Sequence, residues 1–136
     1  MPDMPEHAAL AAEAAIRRTL ARYCHAIDDG DLAALAGCFA PGAELEAFGR
    51  TRSGREAVTA LLAKAMPPES RGKHLTVNTV IGAMGAGGDG VTRASVLSDF
   101  AFVARDGSLT TGRYSDTFVL VGQDWLIGRR EIRIGG

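Results

Sequence analysis

The chain is short of most features that would quickly place a protein. No apolar run approaches the roughly 20 residues that a membrane-spanning helix needs. Opposite charges nearly cancel, 15 Lys and Arg against 16 Asp and Glu, for a net charge of −1. That balance gives no electrostatic footing for nucleic acid or an anionic lipid surface. There are only two cysteines, Cys24 and Cys38. Neither has a CxxC partner, which argues against a structural zinc site. Both fall on apolar helical positions, so two reduced, buried thiols in a cytoplasmic protein are expected. The first residues carry no basic segment, and Glu13 and Arg17 interrupt the apolar stretch, so no signal peptide is expected.

What is there fits one domain of 136 residues, with 46 % hydrophobic and 23 % charged residues, an ordinary soluble composition. A chain of this size buries about two-thirds of its unfolded surface, enough for a core and a pocket. Residues 1–9 read as a flexible tail, with a first helix over 8–29. Ile16, Leu20, Tyr23, Cys24 and Ile27 recur on one helical face. Gly30 suits the left-handed position after a helix, and Asp31 suits the N-cap of a second helix over 32–39. Residues 40–42 close that helix. Residues 43–48 alternate as a strand, and 49–51 form its turn. Ser53 and Glu56 resemble a capping box for a helix over 54–65, whose buried face is Val58, Leu61 and Leu62.

From His74 the pattern becomes β. Strands are expected over 74–84, 91–103, 109–121 and 125–134. The turns between them lie at 85–90, at Arg105-Asp106-Gly107 and at Gly122-Gln123-Asp124. Helices followed by antiparallel hairpins indicate an α+β fold. A curved meander can wrap the first helix and leave a conical cavity. The open sheet also exposes a face that a second copy could cover, through Thr92, Val96 or Phe100, so a dimer or trimer is expected.

One residue sits badly in this scheme. Asp28 lies in the last turn of the first helix, beside the apolar face. The helix dipole disfavours a carboxylate there by roughly 0.3–1 kcal/mol, and burial disfavours it further. Either it points to water or a partner inside the fold compensates it. His74 opens the first strand of the meander in phase with Thr76 and Asn78, a polar face within an otherwise buried sheet. Asp99, Arg130 and Tyr23 are further polar groups among apolar neighbours. Arg129 has the other strand phase, so a bulge would exchange it with Arg130. His25, Asp116, Arg50, Arg52 and Arg55 read as surface or structural residues.

A His whose tautomer is fixed by an Asp is a general base, worth roughly 10²–10⁴ in rate. A hydroxyl or guanidinium aimed at an oxygen stabilises an enolate by about 3–4 kcal/mol. Together they suit proton abstraction beside a carbonyl, with no metal, flavin or nicotinamide cofactor. The glycine stretch at 82–88 leads into a strand, not a helix, and is no phosphate cradle.

Arg22-Tyr23-Cys24-His25-Ala26-Ile27-Asp28-Asp29-Gly30-Asp31, with Cys38-Phe39-Ala40, resembles the N-terminal signature of SnoaL-like proteins of the nuclear-transport-factor-2-like superfamily. Gly54-Arg55-Glu56-Ala57-Val58, Lys73-His74-Leu75-Thr76-Val77-Asn78, Gly112-Arg113-Tyr114-Ser115-Asp116 and Trp125-Leu126-Ile127-Gly128-Arg129-Arg130 extend the likeness to about residues 14–134. The nearest pattern is the branch with scytalone dehydratase, bile-acid 7α-dehydratase and hexachlorocyclohexane dehydrochlorinase. The resemblance implies a cone-shaped α+β barrel and an Asp–His dyad at Asp28 and His74. It also implies Tyr23 and Arg130 as catalytic partners, with Asp99 approximately at a mid-sheet acidic position. Asp99, Asn78 on the polar face of the first meander strand, and Phe48 are expected to bind substrate. The dehydrochlorinase has a Lys at the position of Tyr23, which disfavours halide elimination. No second His follows His74, unlike scytalone dehydratase. The implied activity is a dehydratase acting on a small hydroxylated cyclic ketone, enone, polyketide-like or steroid-like molecule. An isomerase or cyclase, a ligand-binding module, or an accessory unit like a ring-hydroxylating dioxygenase small subunit are the alternatives.

Overall fold

The computed structural model describes residues 5–135. Three helices pack on one six-stranded, curved and unclosed sheet. The first helix, α1, spans Glu6–Asp29 and α2 spans Leu32–Ala36. A hairpin of β1 (Phe39–Ala47) and β2 (Arg50–Ser53) follows, then α3 (Arg55–Ala65) and a single 3-10 turn at Pro68–Ser70. The meander is β3 (Lys73–Ala86), β4 (Thr92–Val103), β5 (Leu109–Val121) and β6 (Asp124–Ile134). Sheet order is β2-β1-β6-β5-β4-β3. All pairings are antiparallel except β1 with β6.

The end of α1 forms as its sequence dictates. Gly30 takes φ +68°, and its N–H returns to the Ala26 carbonyl. The Asp31 carboxylate accepts from the Ala34 N–H at 3.1 Å, capping α2. Ile16, Tyr23 and Ile27 are buried on the face that meets the sheet.

Several boundaries differ from expectation. α1 begins at Glu6, so residues 6–9 are helical rather than tail; residues 1–4 of that tail lie outside the described residues. α2 stops at Ala36 because the next segment already pairs as β1: the Ile127 N–H donates to the Cys38 carbonyl at 2.9 Å. Pro41-Gly42 fall where the β1–β6 register shifts between Phe39 and Glu44, a place where a residue without an N–H does no harm. The hairpin turn is Phe48-Gly49, both at positive φ, as in a type I′ turn. Residues 50 and 51 therefore belong to β2. Ser53 does not cap α3. It pairs with Glu44, Gly54 takes the cap position without a side-chain hydrogen bond, and the Gly54 N–H is held by the Ala43 carbonyl at 2.8 Å. Arg55 is no rim residue either: its Nε and Nη2 donate to the Phe39 carbonyl at 2.9 and 2.7 Å.

The outward face also needs correction. Val96 and Phe100 are buried, while Leu75, Val77, Val80 and Leu97 are exposed. Two bulges in β3, between Val77 and Val80 and between Ile81 and Met84, make this edge strand irregular. Among the described residues no helix is long and apolar enough to cross a membrane.

Candidate functional site

β3 is an edge strand, so backbone groups on its far side have no strand partner. α1 lies against that edge, and the Asp28 carboxylate fills the gap. The His74 backbone N–H donates to Asp28 Oδ1 and Oδ2 at 3.1 and 3.0 Å. The ring Nδ1 of the same residue lies 2.6 Å from Oδ1. Both side chains are nearly buried, at 8 % and 7 % exposure. An ionised carboxylate can only accept. Nδ1 therefore donates, and in the neutral ring Nε2 is the acceptor. The misplaced carboxylate thus has its partner: two backbone contacts and one ring contact offset the helix-end penalty. Phe102 packs against the imidazole at 4.7 Å between centroids, which limits ring rotation.

His74 lines a cavity of about 210 Å³ between the concave face of the sheet, α1 and α3. Tyr23, Phe100 and Tyr114 also line it, and Phe48, Ala65, Thr110 and Ile134 are its exposed members. The volume equals about seven waters at roughly 30 Å³ each, room for one small ring. No Asp, Glu, Lys or Arg side chain lines it. Its polar groups are His74, two phenols and Thr110.

Tyr23 and Tyr114 meet edge to face at 6.0 Å. Tyr114 stacks on Phe100 at 4.5 Å. Burial pushes the Tyr23 phenol above its ordinary 10.0, and Arg130 opposes that rise. Burial also holds the Tyr114 phenol well above its ordinary value. Both are neutral hydrogen-bond donors at neutral pH.

The structure separates the other expected site residues. Arg130 is fully buried but does not line the cavity. Its Nε and Nη2 donate to the two Asp116 oxygens at 2.8 Å each. Its guanidinium lies 3.7 Å over the Tyr114 ring and 4.4 Å over the Tyr23 ring. It backs the site rather than touching a ligand. The bulge that would exchange the two arginines exists: β5 and β6 slip between Thr117 and Phe118, opposite Gly128. Trp125 and Ile127 point inward before it and Arg130 after it. Arg129 points outward, with Nη2 donating to Glu46 Oε2 at 3.0 Å.

Asp99 and Asn78 are corrections. Asp99 has the opposite strand phase from the buried Val96, Ser98 and Phe100. On the outer face it accepts from Arg113 Nε at 2.8 Å and Asn78 Nδ2 at 3.1 Å. Asn78 leaves the phase of His74 and Thr76 because it sits in the first β3 bulge with φ +53°. Tyr114 lines the cavity and was not among the residues expected there. Its signal was present, a Tyr in phase with Gly112, Asp116 and Phe118 on a strand whose inward face is apolar.

Cys24 and Cys38 are both free and buried. The Cys24 thiol sits 3.2 Å from the Thr76 hydroxyl. Among the described residues no cluster of three metal-ligating side chains exists.

No curated protein matches the chain significantly. Solved structures do. An aspartate-to-asparagine variant of Rv3472, a protein of unknown function from Mycobacterium tuberculosis, is 26 % identical with a TM-score of 0.78. That match covers 97 % of this chain and 76 % of the other. A candidate scytalone dehydratase from Novosphingobium aromaticivorans is also 26 % identical, with a TM-score of 0.77, covering 93 % and 86 %. A hexachlorocyclohexane dehydrochlorinase, LinA, shares the fold at 16 % identity, with a TM-score of 0.76 over 97 % and 90 %. The sequence profile of the SnoaL-like domain matches residues 8–131. On that match the chain belongs to the SnoaL-like family, and its fold is that of nuclear-transport-factor-2-like proteins.

Proposed function

We propose that this protein is a cofactor-independent lyase, a dehydratase acting on a small, uncharged, hydroxylated cyclic ketone or enone. The observation that carries the reading is the Asp28–His74 pair at 2.6 Å at the wall of a small apolar cavity. Nε2 of His74 takes a proton from the carbon beside the carbonyl. The electron pair moves onto the carbonyl oxygen, where the Tyr23 hydroxyl donates to it. The enolate then collapses, forms the carbon–carbon double bond and expels the β-hydroxyl. The imidazolium returns its proton to that group, which leaves as water. Asp28 holds the tautomer and stabilises the imidazolium. The neutral lining disfavours substrates that carry a charged group apart from the reacting oxygen, because that group would find no oppositely charged side chain there.

The likeness to a candidate scytalone dehydratase and to a dehydrochlorinase supports elimination as the reaction class. Isomerisation by the same base is the alternative, and product mass separates the two, since only elimination loses water. With an identified substrate, His74→Ala lowers kcat/KM by about 10²–10⁴, and Asp28→Asn also lowers it. Unchanged turnover in both variants removes the dyad from the mechanism. Self-association belongs to the same reading, through Leu75, Val77, Val80 and Leu97 on the outer face. Light scattering that gives only monomer mass at micromolar concentration refutes it.

A further inference from the structure

We propose that Tyr114 is a second hydroxyl donor to the substrate oxygen beside Tyr23, and that the Arg130–Asp116 pair is the positioning device that holds both phenols. The proposal rests on the dehydratase reading and adds to it a built oxyanion site.

The geometry begins with an arginine that has nothing to gain from its location except its neighbours. Arg130 is 0 % exposed. Two of its nitrogens are taken by Asp116, and Nη1 has no hydrogen-bond partner among the described residues. A buried, unpaired N–H on a cation is costly. Here the compensation is aromatic: the flat guanidinium lies over the rings of Tyr114 and Tyr23, at 3.7 and 4.4 Å. Such contacts are strongest when desolvated. The same stack continues from Tyr114 to Phe100 at an interplanar angle of 15°. Tyr114 is thereby held by Phe100 and Arg130, and Tyr23 by Arg130, Tyr114 and Phe39.

Both phenols line the cavity that His74 lines, and Arg130 does not. Its charge can therefore reach a ligand only through the rings it orients and the field it adds. That field opposes the effect of burial on both phenols, which makes each hydroxyl a better donor to a developing anion. Two donors fixed before the reaction cost no reorganisation when charge appears. A mere core role for Tyr114 would be served equally by Phe.

Para-nitrophenol tests this without a known substrate, because its anion mimics an enolate oxygen on one ring and absorbs visibly. The wild-type protein binds the anion and lowers the pH at which the bound dye ionises. Tyr114→Phe and Tyr23→Phe each weaken anion binding by about 10-fold or more, the range for a hydrogen bond to a charged group, with a smaller effect on the neutral dye. Arg130→Lys keeps a cation but loses the flat face, and the bound dye ionises at higher pH. Dye binding reads the two phenols and turnover of an identified substrate reads His74, so loss of the base reading and loss of this one are separable. Anion affinity within twofold of wild type in Tyr114→Phe overturns the proposal. A wild-type protein that takes only the neutral dye, or neither form, also overturns it, as does an Arg130→Lys variant with an unshifted ionisation.

Discussion

At the scale of single residues, the deciding feature is a carboxylate where a helix does not want one. Asp28 was legible as a misfit because dipole and burial both count against it, and His74 was legible because it opens a strand. Their meeting is a consequence of β3 being an edge, since only an edge strand leaves the His74 N–H for a side chain. Removing the carboxylate orphans that N–H and unfastens the ring. Asp28→Ala is expected to cost about 1–3 kcal/mol of stability in addition to its kinetic effect, measured by urea denaturation. No loss of stability would mean water replaces the carboxylate without penalty. Asp99 shows the opposite case. Strand alternation alone puts it in the phase of Leu97 and Ala101, away from Phe100, and its outer-face pairing with Arg113 follows. Apolar neighbours on both sides suggested an interior place for it, and the family resemblance added to that, both against the period.

At the scale of elements, bulges decide what the period cannot. Trp125 and Ile127 face the core in one phase and Arg130 in the other, and Gly128 is where the phase changes. A Cβ on Gly128 would press on the Val119 side chain, so the extra residue there is a small one. The bulge at Asn78 does the same for β3, and neither bulge leaves a clear mark in composition. Its energetic consequence is the β5–β6 pairing of Asp116 opposite Arg130. Burial by itself lowers the Arg130 pKa, but the Asp116 carboxylate, helped by the two phenols, outweighs that and raises it. Asp116→Ala leaves a buried cation uncompensated and is expected to cost about 3–5 kcal/mol. A denaturation midpoint like that of wild type would show that the ion pair is not holding these strands. Gly112 is the counterpart on β5. An added Cβ would meet the Arg133 carbonyl and the Phe100 ring, so Gly112→Ala is expected to cost about 1–3 kcal/mol.

At the scale of the molecule, the helices-then-hairpins order gave the α+β layers, while the parallel β1–β6 join was not legible. It links strands 80 or more residues apart, such as Leu45 with Arg130, and no local pattern encodes such a partner. That join closes the core over a set of weak acids kept protonated. Burial raises the Tyr23 and Tyr114 phenols above 10.0, the Cys24 thiol above 9.0 and the Cys38 thiol to about 11. Each folded value lies above its unfolded one, so the folded chain keeps protons that the unfolded chain releases. Stability then falls as pH rises wherever the unfolded state binds fewer protons. For Cys38 the window runs from 9.0, where the unfolded thiol ionises, to about 11, with the phenols extending the loss upward. Below 9.0 this contribution is fully present. Urea midpoints are therefore expected to fall between pH 9 and 11, and Cys38→Ala to flatten that fall by up to one proton. The native Cys38 thiol should resist alkylation up to the same limit. A midpoint constant to pH 11, or rapid alkylation of folded Cys38 at pH 9, would show that solvent reaches a thiol that is only 2 % exposed in the folded chain.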